Sequence, residues 1–187
     1  MKVLPTRLAD VRLIEPDVYE DRRGFLTEIF HEERYRGAGI AAPMVQVNLS
    51  HSVQGTLRGL HFQLRGPQAK LIQVVRGEIY DVAVDIRRGS PTFGRWIGVN
   101  LSEENRRQIY IPGGFAHGFC VVSDAADVIY GCTAFYDAQD DGGILWCDPE
   151  VGIPWPVSEP ILSAKDSRLP CLVDLPRERL PRYEGPA

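Results

Sequence analysis

The stretch KLIQVVRGEIYDVAVDI, residues 70–86, restricts the possible folds of this chain more than any other segment. Two β-branched runs meet at Arg76-Gly77, a short turn signal of hairpin type. Beyond that turn Tyr80, Val82, Val84 and Ile86 fall on one face, and Ile79, Asp81, Ala83 and Asp85 on the other. A helix needs apolar residues at a period of 3.6, which the run does not supply. On the residues alone, Asp81 among valines and alanines reads as an edge or solvent-facing carboxylate, because burying it unpaired is costly.

Further strands are expected at 12–14, 25–30, 45–50, 95–101, 107–111, 118–122 and 127–135, most of them bounded by turn residues such as Pro112-Gly113-Gly114 and Ser123-Asp124. Residues 32–38 are the best short helix, and Ser102-Glu103-Glu104 resembles a helix start. With 18 glycines and 14 prolines in 187 residues, the composition suits many short strands and turns. That pattern points to an all-β sandwich or barrel, with a jelly roll suiting the size. Length favours a single domain over 1–187, ordered from about residue 3 to 175. Past Asp148 the chain is proline-rich and reads as ordered loops, then a loosely held tail from about Arg177.

The formal net charge of −4 argues against a nucleic-acid-binding face but leaves room for a small basic pocket. No apolar run reaches the roughly 18 residues of a membrane span, and the first 15 positions offer no signal-peptide core. A cytoplasmic location is the expectation. Cys120, Cys132, Cys147 and Cys171 form no CxxC pair and are given no role.

Of four histidines, His61 sits in Thr56-Leu-Arg-Gly-Leu-His-Phe-Gln63. If Leu60 and Phe62 point into one layer, His61 and Gln63 share the other, and parity puts Arg58 on the face opposite His61. His117 closes Pro112-Gly-Gly-Phe-Ala-His117, which fits the P-x-G-x-x-H turn of cupin barrels. Metal cupins pair that turn with H-x-H, whereas this chain has His61-Phe-Gln63. One histidine from each motif is too few for a nitrogen-rich metal site, so no metal is expected.

The segments GTLRGLHFQ (55–63), AKLIQVVRGEIYDVAVDIRRGSPTFGRW (69–96), LSEENRRQIYIPGGFAHGF (101–119) and LSAKD (162–166) resemble the dTDP-4-dehydrorhamnose 3,5-epimerase family, as do DRRGFLTE (21–28) and GILWCDPEVGIPWP (143–156). The resemblance implies a cupin-type jelly roll, a homodimer, and a dTDP-linked 4-keto-6-deoxyhexose as substrate, with no cofactor. It implies His61 as base, Asp166 as its orienting carboxylate and Tyr130 as acid. Lys70 and Asp81 match polar residues beside the sugar, and His117 another pocket residue. Arg23, Glu28, Gln46 and Asn48 match nucleotide contacts, as do Arg58, Asp141 and Lys165. The N-terminal ones are expected to serve the partner subunit's pocket.

The chemistry suits these residue types. A C4 ketone acidifies the protons on C3 and C5, so a base can form an enolate and an acid on the far face can invert the centre. Histidine suits the base near neutral pH. A cation beside the enolate oxygen lowers the barrier, with Lys70 the natural candidate. Without the resemblance, Tyr130 reads as a core aromatic and Tyr136 competes for the acid role. Lys165-Asp166 would be a surface pair, and Arg22-Arg23 a solvated turn. One departure stands out: many relatives carry lysine after the acid tyrosine, where this chain has Gly131. Its missing side chain is expected to open the sugar pocket and keeps a single-centre 3- or 5-epimerase in view. A metal-dependent cupin oxygenase and a non-catalytic nucleotide-sugar binder are rivals from different functional classes. Missing H-x-H weighs against the first, and the acid–base set against the second.

Overall fold

The computed structural model describes residues 1–40 and 43–185. Its strands are Lys2–Leu4 (β1), Arg12–Glu15 (β2), Val18–Asp21 (β3), Gly24–Thr27 (β4), Gln46–Val53 (β5), Leu57–Gln63 (β6) and Lys70–Arg76 (β7). There follow Glu78–Asp85 (β8), Trp96–Ser102 (β9), Gln108–Ile111 (β10), Phe115–Val121 (β11), Ala125–Cys132 (β12) and Asp141–Gly143 (β13). The helix Glu32–Gly37 (α1) lies where its sequence placed it. At Ser102 no helix starts. The Ser102 hydroxyl accepts the Asn105 N–H and the Asn105 side chain accepts those of Ser102 and Arg107, closing a turn instead.

One sheet runs β1-β2-β10-β7-β12-β5 and the other β13-β6-β11-β8-β9, with β3-β4 a separate ribbon. From β5 to β12 the chain crosses from one sheet to the other at every step except the β8–β9 hairpin, so that β5-β12-β7-β10 faces β6-β11-β8-β9, the winding of a jelly roll. This corrects one expectation. Strands β7 and β8 are not a hairpin, because they belong to different sheets. Gly77 makes the corner between them, at φ +76, where an added Cβ would lie 2.0 Å from the Ala125 carbonyl oxygen. The turn signal was real, but a turn does not specify whether its flanking strands pair.

The alternation along β8 holds. Ile79 and Ala83 join Ile72, Val74, Ile109, Phe115 and Phe119 between the sheets. Tyr80, Val82, Val84 and Ile86 face outward but meet Ile144, Val151, Trp155, Leu172 and Leu180 from the C-terminal third. Both faces of β8 are therefore buried, and Asp81 is fully buried rather than solvent-facing. Within the segment read as a loose tail, residues 180–183 pack against the domain. Leu180 and Pro181 are buried, and Arg88 donates its N–H to the Pro181 carbonyl while accepting that of Tyr183. Those contacts add an edge to the domain that proline content alone could not reveal. On the outer face of the first sheet, Tyr35 of α1 packs with Ile14, Ile40, Leu71 and Tyr110. Among the described residues no helix is long and apolar enough to cross a membrane.

Candidate active site

Alternation along β6 sends Leu60 and Phe62 into the outer layer and turns His61 and Gln63 into the barrel. The parity that separated Arg58 from His61 does not survive, however. His117 pairs with His61 and Phe119 with Arg58, so two steps on β11 oppose three on β6. This bulge adds one residue to β6 and resets the alternation. Arg58 and His61 consequently line one hollow. Gly59 makes the bulge possible, since at φ +125 its added Cβ would sit 2.5 Å from Gly118 Cα.

Two adjoining hollows, of about 330 and 270 Å³, share His61, Lys70, Tyr130 and Asp141. Gln46, Asn48 and Tyr136 line the first, with Gln63 and Gln68, to which the sequence assigned no role. Arg58, His117, Lys165 and Asp166 line the second, with Ser163. For Gln63 a signal existed in its alternation with His61. For Ser163 there was only its place in LSAKD.

His61 Nε2 lies 2.6 Å from Asp166 Oδ1, with the carboxylate almost wholly buried at 4% side-chain exposure. Burial alone would raise the Asp166 pKa, but the His61 contact, the Ser163 hydroxyl and the Gly59 N–H outweigh it and hold the carboxyl below its ordinary value. An ionised carboxylate only accepts, so Nε2 carries the proton and the neutral ring keeps its lone pair on Nδ1. On the neighbouring strand β11, His117 Nε2 lies 2.8 Å from Asp81 Oδ2 of β8, while buried Asp81 Oδ1 has no partner among the described residues.

Burial pushes the Lys70 ammonium below its usual pKa, against the opposing pull of Cys132, Asp141 and Asp81. Burial likewise raises the Tyr130 phenol, Cys132 adds to the rise, and Arg58 opposes both. Tyr136 is exposed and donates to Asp141 Oδ2 at 2.8 Å, a bond that raises its own pKa, and Lys165 pairs with the same carboxylate oxygen. Gln46 donates to Asn48 Oδ1 and Arg58 to Ser52 Oγ, which orders the floor beside them.

Arg23 and Glu28 stand apart. Arg23 pairs with Asp21 on the β3–β4 ribbon, and Glu28 with Arg34 beside a different hollow. Gly131 also differs from expectation. It lines a small apolar hollow on the outer sheet face with Ile29, Phe30 and Met44, where an added Cβ would meet Met44 Sδ at 3.1 Å. Its neighbour Tyr130 faces inward, so strand alternation turns Gly131 away from the sugar pocket. Among the described residues no group of three or more His, Cys, Asp and Glu side chains is placed to hold a metal.

Residues 5–174 match the family described as dTDP-4-dehydrorhamnose 3,5-epimerase. The Shigella flexneri dTDP-4-dehydrorhamnose 3,5-epimerase is 52% identical over 168 residues, covering 89% of this chain and 93% of the relative. A Streptomyces niveus dTDP-4-dehydrorhamnose 3-epimerase is 40% identical over 168 residues, covering 89% and 81%. Among solved structures, the dTDP-6-deoxy-D-glucose-3,5-epimerase of Legionella pneumophila Philadelphia 1, in complex with dTDP-4-keto-L-rhamnose, superposes with a TM-score of 0.96 at 47% identity, covering 98% of this chain and 99% of that one. Likeness of this extent in both sequence and backbone makes the chain a member of the dTDP-4-dehydrorhamnose 3,5-epimerase family.

Proposed function

We propose that the protein inverts C3 and C5 of dTDP-4-keto-6-deoxy-D-glucose to give dTDP-4-keto-L-rhamnose. The observation that carries this reading is the His61–Asp166 pair, at 2.6 Å, opening on a cavity that also holds Lys70 and Tyr130. His61 Nδ1 takes the proton from the carbon beside the ketone, and Asp166 stabilises the resulting imidazolium. Lys70 places positive charge against the developing enolate oxygen. Tyr130, whose raised pKa keeps its phenol protonated, returns a proton to the opposite face. His117, held by Asp81, orients the sugar beside them. Both steps are proton transfers next to a ketone and require no cofactor.

Gln46, Asn48, Arg58, Asp141 and Lys165 hold the nucleotide diphosphate, with Tyr136 at the rim. Arg23 and Glu28 reach this role from a second subunit. The exposed Tyr19, Phe25 and Leu26 on their ribbon, and Val47 and Leu49 on the edge strand β5, support a homodimer. An exposed free Cys147 suits a reducing cytoplasm.

Turnover in heavy water tests the reading. A 3,5-epimerase yields product with deuterium at both C3 and C5 and with both configurations inverted in the proton NMR couplings. Inversion at C3 alone, after complete turnover, would make the chain a single-centre epimerase. Gly131 no longer favours that outcome, because it faces away from the cavity.

A further inference from the structure

Gln63 lines the cavity two residues beyond His61, yet its carboxamide points away from the dyad toward the rim. It is almost fully buried, where unpaired amide groups are costly. Its Nε2 donates to the Gly66 carbonyl at 3.0 Å and the Phe135 carbonyl at 3.2 Å, and its Oε1 accepts the Asp137 N–H at 2.9 Å. From the other wall, Gln46 Oε1 accepts the Tyr136 N–H at 2.9 Å. Backbone groups of three consecutive residues thus end on two glutamine side chains.

Beyond these bonds, Asp137 pairs with the exposed Arg65 at 3.4 Å and its carbonyl accepts the Asp140 N–H, but neither contact holds the backbone of Phe135 or Tyr136. The segment lies outside the strands, between β12 and β13, and both Phe135 and Tyr136 are exposed, at 72% and 56%. Apolar burial therefore does not set its position. What depends on that position is the rim: the Tyr136 hydroxyl bonded to Asp141, and Asp141 bonded in turn to Lys165.

We infer that Gln63 is a positioning residue, which fixes the 135–137 backbone and through it places Tyr136 against the bound nucleotide sugar. The inference rests on the function proposed above. Gln63 does not touch the reacting carbons. The chain has thus put a backbone clamp at a strand position from which a side chain could otherwise reach the substrate.

A double-mutant cycle tests this. Gln63→Leu removes all three hydrogen bonds at similar volume. It should raise KM for the nucleotide sugar about tenfold, while kcat for deuterium wash-in at saturating substrate changes by less than about threefold. Amide exchange at Tyr136 and Asp137 should accelerate in the same variant. In a Tyr136→Ala background, Gln63→Leu should change KM by less than about twofold, because residues acting through one another are not additive. Additive effects in the cycle, or a fall in kcat matching the rise in KM, would overturn the inference. So would accelerated exchange with unchanged KM. Should Gln63→Leu fail to fold, Gln63→Glu keeps the acceptor for Asp137 and loses both donors, and the same readings apply. Titration with dTDP separates the two proposals. If the wild type binds dTDP without epimerising the sugar, the functional reading fails, while the cycle measured on dTDP affinity still decides the role of Gln63.

Discussion

Two carboxylates four residues apart on β8, Asp81 and Asp85, are both fully buried, and they are treated in opposite ways. Asp85 is saturated. It accepts the Arg87 backbone N–H and guanidinium at 2.8–2.9 Å and the hydroxyls of Ser90 and Thr92 at 2.6 Å. Arg87 in turn pairs with Asp10 and lies over the rings of Phe115 and Tyr183. Among the described residues Asp81 has one partner, His117, and its second oxygen has none. Both burials cost solvation, but only the first is compensated within the chain. A satisfied carboxylate ties loops and C-terminal segment to the sheet, whereas Asp81 serves a single histidine that lines the cavity.

The sharpest test of that contrast lies at the cavity end of the barrel. His61→Asn should lower turnover by about 10²–10⁴-fold. Its urea midpoint should move no more than a surface substitution would, about 0.5 kcal/mol. A variant that still exchanges substrate hydrogen with solvent at the wild-type rate would remove His61 as the base.

At the other end, Asp85→Ala strands Arg87 and should cost about 3–5 kcal/mol in urea titration. Its folded fraction should retain near wild-type kcat. A loss below about 1 kcal/mol would place this network among surface pairs and dissolve the contrast.

Asp81→Asn should reverse that pattern. Misplacing His117 should reduce kcat/KM by about 10²-fold with stability close to wild type. A destabilisation as large as that of Asp85→Ala would make Asp81 a structural group instead.

The smallest effect is in acid. Burial alone would raise the Asp85 pKa, but the bonds from Arg87, Ser90 and Thr92 prevail and hold it below its ordinary value. The unfolded chain then binds that proton more tightly. Asp85 contributes stability above about pH 4, which is lost as the pH falls through the depressed folded value. The gap between wild type and Asp85→Asn should therefore be flat from about pH 5 to 8 and narrow below about pH 4, read from urea midpoints across pH.

Periodicity in the sequence determined that β8 is a strand and which of its residues share a face, because side-chain alternation is a local property of extended backbone. It also placed α1 and most strands, the ordered matches from 21 to 166 named the family, and the resemblance singled out most of the polar residues that line the two hollows. Pairing was not local. The same Arg76-Gly77 signal serves a hairpin or a corner, and only the opposing sheet decided for the corner. One inserted residue at the β6 bulge carried Arg58 from the far face into the cavity, and alternation on β12 turned Gly131 out of it. Whether Asp81 would be solvated or buried depended on the C-terminal third folding back over β8, some sixty to a hundred residues later in the chain. A segment records the period of its own backbone, whereas burial and cavity membership belong to the surfaces that come to cover it.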